Sequence, residues 1–319
     1  MRFLTVLALG LALARLALAE PLDLHAAPRL LDISPDGRNA PGGLTFRGAL
    51  TLTSDDPRFG GLSALWVSPA GDRLVALSDR GHWVTARIHH ESGRLAGLSE
   101  AAIGALNGTD GRPLVKKRLH DAESLAPLPD GSLLVAFEHA HRIWRYPDAQ
   151  SLFFEVPEAL PAPEGLRYHR PNHGVEALAV LADGRILAIG QDARGPGLFN
   201  AYLWTGTAWQ HRYYRGREDF VPTAATRLPD GDILVMERRF SFLGGIEFQL
   251  VRVGVDGLDT WQDIEGERLG ALKSPLVFDN YEGLAARQNG RGETLIYLIS
   301  DDNFSAWQRT LLLAFALNE

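Results

Sequence analysis

The sequence contains no cysteine, two methionines and three lysines (Lys116, Lys117 and Lys273). Without cysteine there are no disulfide staples, no thiolate nucleophile and no Cys-ligated metal site. The scarcity of lysine means that the 32 basic residues are nearly all arginine, and 39 acidic residues outnumber them for a net charge of −7. Such a chain lacks the excess of cations that nucleic-acid phosphates demand, so nucleic acid is not an expected partner. Beyond the first eighteen residues no apolar run is long enough to span a bilayer. Helical periodicity is also missing; the most helix-like stretch, 98–106, is short. No P-loop or dinucleotide fingerprint occurs. Gly61-Leu62-Ser63-Ala64-Leu65 lacks the closing glycine of a nucleophile elbow.

The N-terminus has the layout of an export leader. Arg2 precedes an apolar run broken at Arg15, and Ala17-Leu18-Ala19 supplies a small-x-small cleavage site. The expected division is a signal peptide over 1–19 and a single domain over 20–319, secreted or periplasmic and acting as a monomer. Removing Arg2 and Arg15 leaves 30 basic against 39 acidic residues, a net charge of −9.

A repeat organises the rest. Five segments share one order: a short apolar strand opened by a polar residue, a glycine-containing turn, and a strongly apolar second strand closed by an acid. The opening residues are Ser63, Glu123, Glu176, Thr223 and Glu282, spaced 60, 53, 47 and 59 apart. The turns fall at Gly71, Asp130-Gly131, Asp183-Gly184, Asp230-Gly231 and Asn289-Gly290. Asp-Gly and Asn-Gly between β-rich runs signal hairpins, because glycine supplies the positive φ that tight turns require. Each hairpin is followed by at least one further strand, so each copy reads as a small antiparallel sheet. Radial repetition of such sheets is a β-propeller. The fold class expected is therefore all-β, a propeller of five four-stranded blades, with 47–52 closing the ring beside the last strand at 310–317. The region before Phe59 leaves room for a sixth, degenerate blade.

The acids closing the second strands are Asp79, Glu138, Asp192, Glu237 and Asp301. Counted from each turn, every opening residue and its closing acid are about equidistant, which places them together at the open end of one hairpin. In a propeller those ends ring one mouth of the central channel. Two carboxylates ~6 Å apart repel by roughly 3 kcal/mol at an effective dielectric of ~20, so such a ring needs cations. All-oxygen sites suit hard ions, Ca²⁺ ahead of Mg²⁺ or Mn²⁺. Arg80, Arg142, Arg238 and Arg239, with His82, His139 and His141, follow the acids in sequence and are a second source of positive charge.

The motifs together resemble a known family. Gly60-Gly61-Leu62-Ser63-Ala64-Leu65 with Ser78-Asp79-Arg80-Gly81 resembles the opening of the secreted phytase-like domain described as "esterase-like activity of phytase". Asp121-Ala122-Glu123-Ser124-Leu125, Gly174-Val175-Glu176-Ala177-Leu178, and Asn280-Tyr281-Glu282-Gly283-Leu284 with Ser300-Asp301-Asp302 continue the likeness, over roughly 48–317. The resemblance implies a propeller and calcium-dependent hydrolysis of a phosphoester at the acidic mouth. With three lysines the chain departs from the alkaline phytases, whose highly anionic substrate needs many cations.

The function expected on these grounds is ester hydrolysis on a small anionic or ester substrate, assisted by a divalent metal. Glu123, Glu176, Asp192, Glu282 and Asp301 are the expected metal ligands. Glu138 or Glu237 is the expected general base, and Arg80, Arg142 or Arg238 the grip on the anionic part of the substrate. The alternative is a non-catalytic propeller that binds a carbohydrate, peptide or protein at the mouth, using Trp83, Trp144 and Trp307.

Overall fold

A computed structural model describes residues 19–30, 39–40, 43–147, 153, 155–241, 245–260, 262–273 and 279–318. The expected leader lies outside them except for its last residue.

The strongly apolar second strands are explained by burial on both faces. In Leu133–Phe137, residues Leu133, Val135 and Phe137 pack toward the preceding blade, while Leu134 and Ala136 pack toward the following one. Side chains alternate across a strand, so a strand sandwiched between two blades must be apolar at every position. The same holds around the molecule: each interface between adjacent blades is filled by its own cluster of buried side chains. Each fully buried Val or Leu contributes about 1.5–3 kcal/mol.

Five antiparallel sheets form the blades. From the axis outward, blade 1 runs Leu62–Val67, Arg73–Ser78, His82–Glu91 and Arg94–Ala105, with Glu20–Pro21 on its outer edge. Blade 2 runs Ala122–Pro127, Leu133–Phe137, Arg142–Tyr146 and Glu158–Leu160. Blade 3 comprises Val175–Val180, Ile186–Gly195, Leu198–Trp204 and Trp209–Arg215, and blade 4 Val221–Arg227, Ile233–Ser241, Gly245–Val253 and Glu267–Lys273. In blade 5, Asn280–Gln288, Thr294–Asp301 and Thr310–Leu317 are completed by the N-terminal strand Leu44–Thr53. The inner strands touch in sequence order, and the fifth touches the first.

The closing pairing joins Thr310 to Leu52 and Leu317 to Leu44, with the ladder running antiparallel between. Among the described residues before Phe59, Leu44–Thr53 and His25–Pro28 form the outer part of blade 5 and Glu20–Pro21 edges blade 1, so these residues form no sixth blade. The stretch 98–106 falls largely within the strand Arg94–Ala105, where pairing with His82–Glu91 overrides its weak helical pattern. One four-residue helix, Lys117–His120, and two short 3-10 turns are the helical content of the described residues. No helix among them is long and apolar enough to cross a membrane.

The inner hairpins turn alike. Gly71, Gly131, Gly184, Gly231 and Gly292 each adopt positive φ, between 76° and 103°. In blade 5 the glycine in this role is Gly292, two residues after the expected Gly290.

Because one strand closes the whole ring, the protein should tolerate its loss poorly. A chain beginning at Ser54 is expected to lose cooperative thermal unfolding. Leu50→Ala, at a position with 0% exposure in the closing strand, should cost about 2–5 kcal/mol by denaturant titration. Two-state unfolding of the truncated chain near the full-length midpoint would contradict this closure.

Candidate active site

At the top of every inner strand the register slips by one. The shift lies between Leu62 and Ala64, between Val175 and Ala177, between Pro222 and Ala224, between Tyr281 and Gly283, and opposite Ala136/Phe137 in blade 2. The extra residue is Ser63, Glu123, Glu176, Thr223 or Glu282, each the polar residue that opens its copy of the repeat. A β-bulge leaves one residue out of the ladder and re-aims its side chain. Glu123, Glu176 and Glu282 are aimed into a cavity of about 1090 Å³ at the channel mouth. The Ser63 hydroxyl donates across the blade interface to the Ala122 carbonyl, and that of Thr223 to the Met236 carbonyl at 3.4 Å.

The bulges also decide which residues of the second strands face the mouth. The last pairings place Asp79 against Gly61, Glu138 against Asp121, Gln191 against Gly174, Arg238 against Val221 and Asp301 against Asn280. All five of Asp79, Glu138, Gln191, Arg238 and Asp301 line the cavity. The acid roughly equidistant from the turn falls one position past the mouth residue in blade 3 and one position short of it in blade 4. Since neighbours on a strand point to opposite faces, Asp192 and Glu237 are turned away. Asp192 lines a separate cleft and pairs with Arg170 at 2.9 Å. Glu237 is fully buried, accepting hydrogen bonds from the Tyr214 hydroxyl at 2.7 Å and from Gln249.

Arg142 also misses the cavity. Its guanidinium lies over the rings of Phe137 and Trp144, at 4.0 and 4.2 Å, and donates to the carbonyls of Ala140 and Leu119. Burial lowers its pKa to about 10. Arg80 and Arg238 do line the mouth. Arg80 stacks on Phe304 at 3.3 Å. Arg238 donates to Asn280 and lies 3.3 Å from the Glu282 carboxylate. Of the three tryptophans, Trp83 is core, Trp144 packs edge-on against Phe137, and Trp307 is exposed.

The carboxylates crowd one another. Burial, then the charges of Glu176, Glu282, Glu138 and Asp121, push Glu123 well above the usual carboxylate range. Burial does the same to Glu176, reinforced by the charge of Glu138 and a hydrogen bond with it. Glu282 is raised by burial, with Arg238 and the Asn280 amide partly offsetting the effect. Burial and then Glu282 lift Asp301 to about 8, and burial and then Asp121 lift Asp79 to about 6.

The sequence assigns no role to Asp121, Asn280 or His120, and marks His139 only as a nearby source of positive charge. Carboxylate oxygens of Asp121, Glu123 and Glu138 lie within 4.8 Å of one another. His139 Nε2 sits 2.9 Å from Asp121, with His139 held at a φ of 56°. Glu138 accepts a hydrogen bond from the Gly174 amide at 2.6 Å, where a Cβ on Gly174 would press on Glu138 itself. His120 and Lys117 come from the short helix in the connection between blades 1 and 2, and His120 Nδ1 bonds the Asp79 carbonyl at 2.8 Å. Asp121 and Asn280 each stand two residues before a bulged glutamate, a regularity readable in Asp121-Ala122-Glu123 and Asn280-Tyr281-Glu282. The loop histidines left no such signal.

The clustered oxygens of Asp121, Glu123 and Glu138 have the donor chemistry that suits a hard divalent ion. The class so defined is a five-bladed propeller with a carboxylate-walled cavity at one mouth. The phytase-like family, described as "Esterase-like activity of phytase", matches residues 57–304, and the chain belongs to that family. No curated protein sequence matches the chain. Among solved structures it is similar to a gluconolactonase from Xanthomonas campestris, 14% identical, covering 93% of this chain and 97% of that one, with a TM-score of 0.40. It is also similar to the WD40 repeats of RRP9, 10% identical, covering 93% and 99%, at 0.42. A glucose dehydrogenase is 12% identical, covering 82% and 98%, at 0.43. Likeness at that level assigns no chemistry.

The raised pKa values have a sign that can be checked. Asp79 at about 6 and Asp301 at about 8 lie above the ~4 of an unfolded carboxyl. The folded state therefore holds more protons, and its stability falls as pH rises through 6 to 8. Chelator-treated protein should melt at progressively lower temperature between about pH 5.5 and 8.5, with added Ca²⁺ removing most of that slope. A melting temperature that rises across this interval without metal would be inconsistent with the site as described.

Proposed function

We propose that the protein is an exported hydrolase of a phosphoester or carboxylic ester, working at the acidic mouth with a divalent cation, Ca²⁺ first among the candidates. The observation that carries this reading is the convergence of Glu123, Glu176 and Glu282, one bulged residue from each of three blades, on one cavity beside Asp121 and Glu138. Family membership supports an ester as the substrate class, and the export leader supports a secreted or periplasmic location.

Asp121, Glu123 and Glu138 would hold the cation, with Glu176 and Glu282 beside them. When bound, the cation supplies Lewis acidity toward the ester oxygen and acidifies a bound water. Arg80 and Arg238 bind and orient the anionic part of the substrate, Arg238 being held in place by Asn280 and Glu282. Asp79 and Asp301 line the same mouth and are not needed to hold the cation. They are the carboxyls placed to move a proton to or from the reacting oxygens. Asp192, Glu237 and Arg142 have no part in the reaction.

Purified protein assayed on simple phosphate and carboxylate esters tests the reading. Activity should vanish with chelator and return with Ca²⁺. Glu176→Gln should lower turnover by about 10² or more while preserving the fold, and it should shrink the loss of melting temperature that chelator causes in the wild type. Full activity in chelator, or unchanged turnover in Glu176→Gln, would rule out the metal-assisted mechanism. No hydrolysis of either ester class with metal bound would leave a binding module.

A further inference from the structure

The strand that ends in Gln191 serves two cavities. Gln191 faces the acidic mouth, and Asp192, the next residue, faces a second cleft of about 600 Å³ that shares no lining residue with the first. This cleft lies on blade 3, walled by Asp192 and Arg194 from the second strand, Asn200 and Tyr202 from the third, Trp209 and His211 from the outermost, and the connection carrying residues 163–169. Nothing in the proposed hydrolysis uses it.

Its polar groups are held in position by one another. The Asn200 amide donates to the Asp192 carbonyl at 3.0 Å, and its oxygen lies 3.0 Å from His211 Nε2. His169 is held at both ring nitrogens, by the His173 carbonyl and the Tyr202 hydroxyl, each at 2.9 Å. The Trp209 indole is tied to the Pro161 carbonyl and has Trp204 against it, ring centroids 5.4 Å apart. Gly165 approaches the Tyr202 hydroxyl so closely that a Cβ there would stand 2.6 Å from it. Tyr168, on the same connection, is 72% exposed at the lip. Groups fixed before binding lose little conformational freedom when a ligand arrives.

The chemistry of the lining narrows the ligand. Both acids are engaged by arginines, Asp192 by Arg170 at 2.9 Å and Glu164 by Arg167 at 2.7 Å. Burial holds the His169 and His211 imidazoles below their usual range, so both are uncharged at neutral pH. What remains is Arg194, whose guanidinium donates to the Asn200 oxygen at 3.4 Å, with neutral hydrogen-bonding groups of both polarities and aromatic rings, in a space suited to a ring-sized ligand. A pyranose offers the complementary pattern, with apolar C–H faces for Tyr168 and Trp209 and a rim of hydroxyls for Asn200, His211 and Asp192. We propose that the blade 3 cleft is a saccharide-binding site, separate from the acidic mouth.

The test reads binding without turnover, so it stands or falls independently of the hydrolase reading. Full-length mature protein is titrated with glucose, galactose, N-acetylglucosamine, glucuronate and their β-linked disaccharides and tetrasaccharides, by tryptophan fluorescence and calorimetry. Saturable binding of at least one member is expected, unchanged by chelator. It should weaken about tenfold or more in Trp209→Ala and in Tyr168→Ala, in keeping with the loss of an aromatic stacking partner. Tyr168 is too exposed for its loss to unfold the protein, so that variant remains informative if Trp209→Ala misfolds. Absence of binding across the panel overturns the proposal, as does binding that survives Tyr168→Ala combined with His211→Ala.

Discussion

The antiparallel pairing of Leu44–Thr53 with Thr310–Leu317 joins an early strand to the last strand of the chain in one sheet, and the channel mouth exists because of it. An open stack of sheets has no axis for its inner strands to surround. Once the ring is closed, five strand ends at one face must come together, and whatever side chains the sequence places there become neighbours across distances of 50 residues and more. The two-sided burial of each second strand follows from the same constraint, since every blade lies between two others.

Closure would be straightforward with small neutral residues at that face. Instead three of the five inner bulges carry glutamate, and Asp121, Asp79, Glu138 and Asp301 join them. At 4.8 Å and an effective dielectric of ~20, each ionised pair repels by about 3.5 kcal/mol. Three mutual pairs among Asp121, Glu123 and Glu138 would then oppose folding by about 10 kcal/mol, comparable to the whole stability of an ordinary domain at 5–15 kcal/mol. Full ionisation without compensation is therefore untenable. Arg238 offsets part of the charge on Glu282, His139 lies against Asp121, and burial pushes Glu123, Glu176 and Asp301 toward their protonated forms.

Blade 3 shows how finely this arrangement depends on register. Gln191 and Asp192 differ by one position along a strand, yet one belongs to the acidic mouth and the other to the aromatic cleft behind it. The connection that walls the cleft also supplies the Gly174 amide that holds Glu138. One segment thus sets the edge of both cavities.

The sequence by itself determined the propeller, its five repeated hairpins, the closing strand and the inner glutamates, while the choice of five blades over six waited on the fold. Those features rest on local regularities: glycine turns, runs apolar at every position, and polar residues recurring at one place in the repeat. Only the tertiary structure decided which acids share the mouth. The bulge at each inner strand falls on the polar residue that opens each repeat, but nothing local shows that this residue leaves the ladder, and a one-residue slip turns a strand's side chains to the opposite face. Choosing the acid nearest to equidistance from the turn selected Asp192, one position past Gln191, and Glu237, one position short of Arg238. Arg142 was withdrawn by the two rings that its neighbours place over it, and Asp121, His120 and His139 entered through loops and strand ends whose positions depend on the adjoining blades. Local patterns fix which way a chain turns and what it must bury; which side chains meet at an axis depends on how five separate sheets register against one another, and that is set by packing between segments far apart in sequence.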